Sequence, residues 1–188
     1  MSRRGEGGAR GSAATQDATP GVINLRANAL VLLVGPAGSG KSTFARRHFG
    51  ETQIVSSDRC RALVGDDEAD QTVNTEAFAL LRTLVRLRLR LGRLTVVDST
   101  ALQWQQRAPL LGLGRACGAP VAALVFDVDA ATCKRRNLSR KRRVPEDVID
   151  LHRSQLLRAL QTIFSEGFDA VRILDRVADE RVEVGAEG

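Results

Sequence analysis

The chain has no tyrosine and one tryptophan, Trp104, in 188 residues. Few aromatic faces are therefore available for stacking on bases. Cysteine is also scarce. Cys60, Cys117 and Cys133 are odd in number and widely spaced, with no CxxC pair. That argues against a disulfide framework and against a zinc site, and leaves small buried thiols in a reducing cytosol. No run of about 18 apolar residues occurs, so no membrane-spanning helix is expected. The opening "MSRRGEGGARGSAATQDATPG" has no apolar core and does not read as a secretory signal. These absences together point to a cytoplasmic protein. Lysine occurs only at positions 41, 134 and 141, yet the net charge is +6. Nearly all the positive charge is arginine. It fits either an anionic partner or an arginine-rich background, and net charge alone does not choose between them.

The length suits one domain with a substantial core, and the apolar fraction of 43% is that of a globular chain. Residues 1–27 carry almost no large apolar side chain before Val22 and read as a disordered tail. The ordered domain is expected over 28–178, followed by a flexible charged tail over 179–188. Within the domain, strand and helix signals alternate. "ALVLLV" (29–34), "TQIVSS" (52–57), "LTVVDS" (94–99), "VAALVFDV" (121–128) and "AVRIL" (170–174) read as five strands. Helices are expected from about Lys41, over 73–92 with Gly92 as the stop, over 103–117, and over about 130–140 and 145–166. Continuous apolar strands alternating with helices predict an α/β fold: a five-stranded parallel sheet with helices on both faces.

Between the first strand and the first helix stands "GPAGSGKST", Gly35 to Thr43, which fits G-x-x-x-x-G-K-[ST] without deviation. Glycines 35, 38 and 40 let the backbone wrap a phosphate closely, with the N–H groups of the segment from Ala37 through Ser39 to Thr43 around it. The helix N-terminus adds partial positive charge. Lys41 is expected to reach the β- and γ-phosphates, and Ser42 to offer its hydroxyl to Mg²⁺. The motif follows a buried strand and opens a helix, which is the context it requires. No guanine-reading N-K-x-D run occurs, so ATP is the expected nucleotide and the fold is expected to be that of a P-loop NTPase or kinase.

Asp58 follows Lys41 by 17 residues, at the carboxyl end of the second strand of this set. Ligands of doubly wound sheets bind at that edge. A carboxylate there can take the proton of an attacking hydroxyl and aim its oxygen in line. Arg61, one helical turn on, shares its face and can hold an anionic group of the acceptor. The alternative is that Asp58 caps a short helix over 59–63. Asp98 ends the third strand of the set at the same edge. It is placed either to orient a Mg²⁺-bound water or to cap the next helix. The acidic stretch "GDDEAD" (65–70) lacks the spacing of a Ca²⁺ loop and reads as a solvated loop. His48 and His152 stand alone and read as structural or surface residues.

"KRRNLSRKRR" (134–143) holds seven basic residues in ten. It falls between two helices after the fourth strand, where P-loop kinases carry a lid. Arg136 and Arg140, at i and i+4, are expected to share a helix face and to close over the triphosphate. Arg142 and Arg143 lie just beyond and can serve either ATP or acceptor phosphates. A solvated arginine-rich face is the plainer alternative.

The segments "GPAGSGKSTFARRHF" (35–49), "VSSDRCRALVGDDEADQT" (55–72), "GRLTVVDST" (92–100) and "RNLSRKRRVPEDVI" (136–149) together resemble the kinase domain of the bacterial polynucleotide 5′-kinase/3′-phosphatases. The likeness spans most of residues 29–175, and its second segment is the most specific. It implies an ATP- and Mg²⁺-dependent phosphotransferase acting on the 5′-OH end of DNA or RNA. By position, Lys41 and Ser42 would serve ATP and metal, Asp58 would be the general base, Arg61 would hold the phosphate next to the terminal nucleotide, and Arg136 and Arg140 would be lid arginines. The chain departs from the family pattern in three places. Ala101 follows "DST" where the family has Asn. The lid loop is about one residue shorter near Arg142. Arg59 stands where the family often has an aromatic residue. Two other functions fit the same residues: a P-loop kinase for a small hydroxyl compound, and an ATP-binding module without turnover.

Overall fold

The computed structural model describes residues 21–140, 142–175, 177 and 180–185. Its core is one parallel sheet. Five strands, β2 (Leu30–Val34), β3 (Ile54–Ser56), β4 (Thr95–Asp98), β5 (Val121–Phe126) and β6 (Ala170–Leu174), lie in the order β3-β4-β2-β5-β6. The central strand β2, LVLLV, is buried along its whole length, which is why no polar residue interrupts it. Register is tight: Leu32 stands opposite Val97 on one side and Ala123 on the other. The five strands anticipated from the apolar runs are all present, four of them trimmed and β6 with the bounds expected.

Alternate residues of the strands face opposite layers. Leu30, Leu32, Val34, Val97 and Val125 pack beneath α3 (Asn74–Arg90), α4 (Trp104–Ala116) and α6 (Glu146–Thr162), where Leu81, Val85, Leu111 and Leu156 are buried. Val31, Leu33, Val96 and Phe126 face α1 (Lys41–His48) through Phe44 and Ala45. Two shorter helices, α2 (Ser57–Gly65) and α5 (Ala130–Leu138), complete the set. Helix α3 stops where expected: Leu91 caps it and Gly92 follows with φ +64°.

The domain boundaries differ from expectation at both ends. Val22–Arg26 is a strand, β1, rather than part of a tail, and Arg181–Gly185 is another, β7. They pair with each other in parallel, Ile23 opposite Val182 and Leu25 opposite Val184. Ile23 and Leu25 are buried against Leu33, Ala122 and Leu124. The ribbon thus covers part of the layer that holds α1. Residues 1–20 of the anticipated tail lie outside the described residues. Among the described residues no helix is long and apolar enough to cross a membrane.

Candidate active site

The loop between β2 and α1 is a tight cradle. A Cβ on Gly38 would lie 2.5 Å from the carbonyl oxygen of Cys133 in α5, and one on Gly35 would lie 2.9 Å from the Cβ of Phe126 at the end of β5. Gly38 and Gly40 also hold φ +82° and +102°, where other residues are strained. The loop is pinned from outside as well. Gly35 donates its N–H to the carbonyl of Thr100 at 3.0 Å, Ala37 donates to Nδ1 of His152 at 3.3 Å, and Arg136 donates to the carbonyl of Ser39 at 3.0 Å. Lys41, only 7% exposed, donates to the carbonyls of Gly35 at 2.8 Å and Pro36 at 2.7 Å. Burial drives its pKa down to about 8, against the opposing pull of Asp98.

Asp98 ends β4 directly beneath this loop. Burial pushes its carboxyl up, while the Ser42 hydroxyl and the Lys41 ammonium beside it pull the other way. It caps no helix, since α4 begins at Trp104 after Gln103. The Ser42 hydroxyl and the Asp98 carboxylate are hard oxygen donors. Among the described residues no cluster of three or more His, Cys, Asp or Glu side chains could hold a metal. One carboxylate, one hydroxyl and substrate phosphates are the donor set that suits Mg²⁺, which binds through few protein ligands and keeps its waters. These residues fit that ion.

Asp58 stands in the first turn of α2. The cap of that helix is Ser56, whose Oγ accepts from the N–H of Arg59 at 3.4 Å. The capping alternative for Asp58 therefore fails. Its carboxylate is ion-paired with Arg61, which was expected on the same face but reserved for an anionic group of the acceptor, and lies 3.7 Å from Nη1 of Arg142. Arg61 is nearly buried. Its Nε donates to the carbonyl of Glu68 at 2.8 Å and its Nη1 to Oδ1 of Asn74 at 3.2 Å. Arg142 donates to the same Glu68 carbonyl at 3.1 Å. The acidic loop after α2 thus serves through its backbone, tying both arginines around Asp58. Its own carboxylates are used locally: Thr72 hydrogen bonds hold Asp70 below the usual carboxylate range.

The basic segment is only partly helical. Helix α5 ends at Leu138, so Arg136 and Arg140 do not share a helix face as expected. The side chain of Asn137 ends the run by bonding across the turn to Val144, donating to its carbonyl at 2.8 Å and accepting from its N–H at 3.0 Å. Arg140 nonetheless remains near Lys41 and opposes its protonation. Two contacts carried no signal of their own. His152, read as a structural or surface residue, accepts from the cradle. Arg142 reaches Asp58 across a fold that its local sequence does not reveal.

A glycine cradle before a helix, a buried lysine inside it and a hydroxyl–carboxylate pair beneath it define a P-loop kinase domain. The family model of the AAA domain matches residues 30–163, and the chain belongs to that family. No curated protein matches the chain. Among solved structures, a chain of the Pnkp1/Rnl/Hen1 RNA repair complex is similar with a TM-score of 0.62 and 22% identity, over 78% of this chain and 48% of that one. This chain therefore spans about half the length of that relative. The AvrRxo1-ORF1:-ORF2 structure with ATP is similar at 0.57, with 15% identity over 75% and 50% of the two chains. Shikimate kinase from Bacteroides thetaiotaomicron is similar at 0.51, with 12% identity over 80% and 89%. At these identities the likeness is one of fold.

Proposed function

We propose that the protein is an ATP-dependent polynucleotide 5′-hydroxyl kinase. The observation that carries this reading is the Asp58 carboxylate, held by Arg61 and Arg142 at the sheet edge that also carries the cradle and Lys41. In this reading Gly35, Ala37, Gly38, Ser39, Gly40 and Thr43 wrap the ATP phosphates. Lys41 turns from its loop carbonyls to the β- and γ-phosphates. Asp58 accepts the proton of the 5′-hydroxyl and aims its oxygen at the γ-phosphorus. The new O–P bond forms as the bond to the β-phosphate oxygen breaks, and ADP leaves with its electron pair. Arg136 and Arg140 stabilise the charge on the transferred group. Ser42 and Asp98 would hold Mg²⁺, which when bound neutralises charge between the β- and γ-phosphates. In the same reading Arg61, whose Nη2 is paired with Asp58 in this structure, would turn to hold the phosphate next to the terminal nucleotide of the acceptor strand.

One similar structure, a chain of an RNA repair complex, supports a nucleic-acid acceptor; another, a shikimate kinase, makes a small alcohol the alternative. A competition assay separates them. Labelled γ-phosphate is offered to an equimolar mixture of 5′-OH oligonucleotide, 5′-phosphorylated oligonucleotide, shikimate and sugar alcohols. Label confined to the 5′-OH strand supports the proposal. Label on a small alcohol with none on the strand refutes it.

A further inference from the structure

Helix α3 carries arginine at 82, 86 and 90. At a spacing of four residues these side chains stack in one row on the outer face, about 6 Å apart along the axis. All three are exposed. None has an ion-pair or hydrogen-bond partner among the described residues. The helix has one acid, Glu76, in its first turn, away from the row. A row of like charges at i, i+4 repels itself. Arg88 of the same helix shows the contrast: it is spent inside the fold, on the carbonyl of Leu94 at 2.9 Å and on Oγ1 of Thr95 at 3.3 Å.

The row leads to the candidate active site. Arg82 lines a groove of about 350 Å³ between α3 and α4, with Asn74, Phe78, Gln105 and Gln106. Asn74 is the residue that receives Nη1 of Arg61, which in turn holds Asp58. The groove offers amide groups at Asn74, Gln105 and Gln106 for base edges and an aromatic ring at Phe78. Pro109 in α4 has no N–H to give to the carbonyl of Gln105, so the groove wall also lacks that helical hydrogen bond. Leu87 and Leu91, about half and three-quarters exposed, flank the row with apolar surface.

We infer that the outer face of α3 is the track for a single-stranded polynucleotide whose 5′ end lies at Asp58: a base near the end occupies the α3–α4 groove, and successive phosphodiesters follow along Arg82, Arg86 and Arg90. The inference rests on the proposed kinase reading and adds a length requirement to it. A strand of four nucleotides ends near the groove, whereas one of twelve runs the whole row.

The test compares the parent protein with the triple variant R82A/R86A/R90A and with a charge-matched control, R47A/R158A/R181A, altered at exposed positions on α1, α6 and β7. Alanine suits the exposed helix positions, and thermal melts confirm folding. Binding of 5′-OH oligomers of 4 and 12 nucleotides, as DNA and as RNA, is followed against salt. Trp104, the only tryptophan and adjacent to Gln105, serves as the fluorescent reporter. Loss of three phosphate contacts should reduce the slope of log K against log salt for the 12-mer by about 2. KM for the 12-mer should rise at least tenfold with kcat unchanged, a clearly larger loss than for the 4-mer, which meets only Arg82, while the control variant behaves like the parent with both. A difference between the DNA and RNA arms identifies the sugar the track prefers; equal effects in both support recognition of the phosphodiester chain alone. An unchanged slope in the triple variant, or an equal loss in the control, overturns the track and leaves the kinase reading standing. Displacement of the 12-mer by polyglutamate at equal charge overturns it in favour of an acidic protein partner. Absence of transfer to any strand by the parent overturns the kinase reading itself.

Discussion

The loop that follows β4 is held by an ion pair buried inside the fold. Arg107 is 1% exposed and clasps Glu166 with two nitrogens, Nε to Oε2 at 2.7 Å and Nη2 to Oε1. Its third nitrogen group donates to the carbonyl of Ala101 at 2.8 Å. Glu166 has one further donor, the hydroxyl of Thr162 at 2.9 Å. Replacing either partner alone by Met leaves a desolvated charge behind, which costs about 3–5 kcal/mol. For a chain of this size that is a fall in Tm of roughly 6–20 °C. Removing both leaves the Ala101 carbonyl without its donor, at about 1–3 kcal/mol, and frees the exposed Thr162 hydroxyl, which still has the Ala159 carbonyl at 3.4 Å. Urea unfolding of the two single variants and the double variant should therefore show the double as more stable than either single. The effect should reach the site, because Thr100, one residue before Ala101, receives the N–H of Gly35. Nucleotide affinity should fall in the single variants before global stability is exhausted. Singles that cost less than about 1 kcal/mol, or costs that simply add in the double variant, would refute the reasoning.

Lys41→Met should gain stability from the loss of a buried ammonium, set against the donor it takes from the Gly35 and Pro36 carbonyls, when measured in EDTA without nucleotide. A lysine whose pKa falls from 10.5 to about 8 on folding destabilises the fold while it is protonated, by up to about 3 kcal/mol. The unfolded chain binds the extra proton between those values, so parental stability should rise with pH from about 8 to 10.5. The gap to Lys41→Met should close over the same window, and a gap independent of pH would contradict the burial argument. Gly38→Ala must displace the Cys133 carbonyl and adopt φ +82°, so it should lose nucleotide binding and about 2 kcal/mol or more of stability, as measured by calorimetry and urea melts. Arg142→Ala removes one of the two cations on Asp58 and should lower kcat more than it alters ATP affinity; equal ATP binding and equal kcat would show that Arg142 only decorates the Glu68 loop.

The parts of the fold written in local patterns were legible from the chain. The apolar runs of β2, β4, β5 and β6 announce buried parallel strands, and "GPAGSGKST" announces a cradle because its chemistry is confined to nine successive residues. That Arg61 shares the face of Asp58 was legible for the same reason, since three residues of helix bring them together; that the two pair with each other was not. What depended on distant contacts was not. "VINLR" is too short to stand out as a strand, and its partner lies at the far end of the chain. The end of α5 depends on Asn137 reaching Val144 rather than on helix propensity, which misplaced Arg140. His152 meets the Ala37 N–H only because α6 packs beside the cradle. Ala101, where the resembling family has Asn, sits at φ +44°, a conformation that Asn tolerates better than Ala. The structure therefore gives a backbone reason for that family residue, which the sequence did not supply.

The central claim is that Asp58 acts on the acceptor while the cradle holds ATP. Asp58→Asn keeps the shape of the side chain and removes its charge. Transfer from ATP–Mg²⁺ to a 5′-OH oligonucleotide and ATP binding should be measured on the same preparation of parent and variant. The account predicts loss of transfer by at least a hundredfold, in line with removal of a general base, with ATP affinity nearly unchanged. A variant that transfers phosphate as fast as the parent would contradict it.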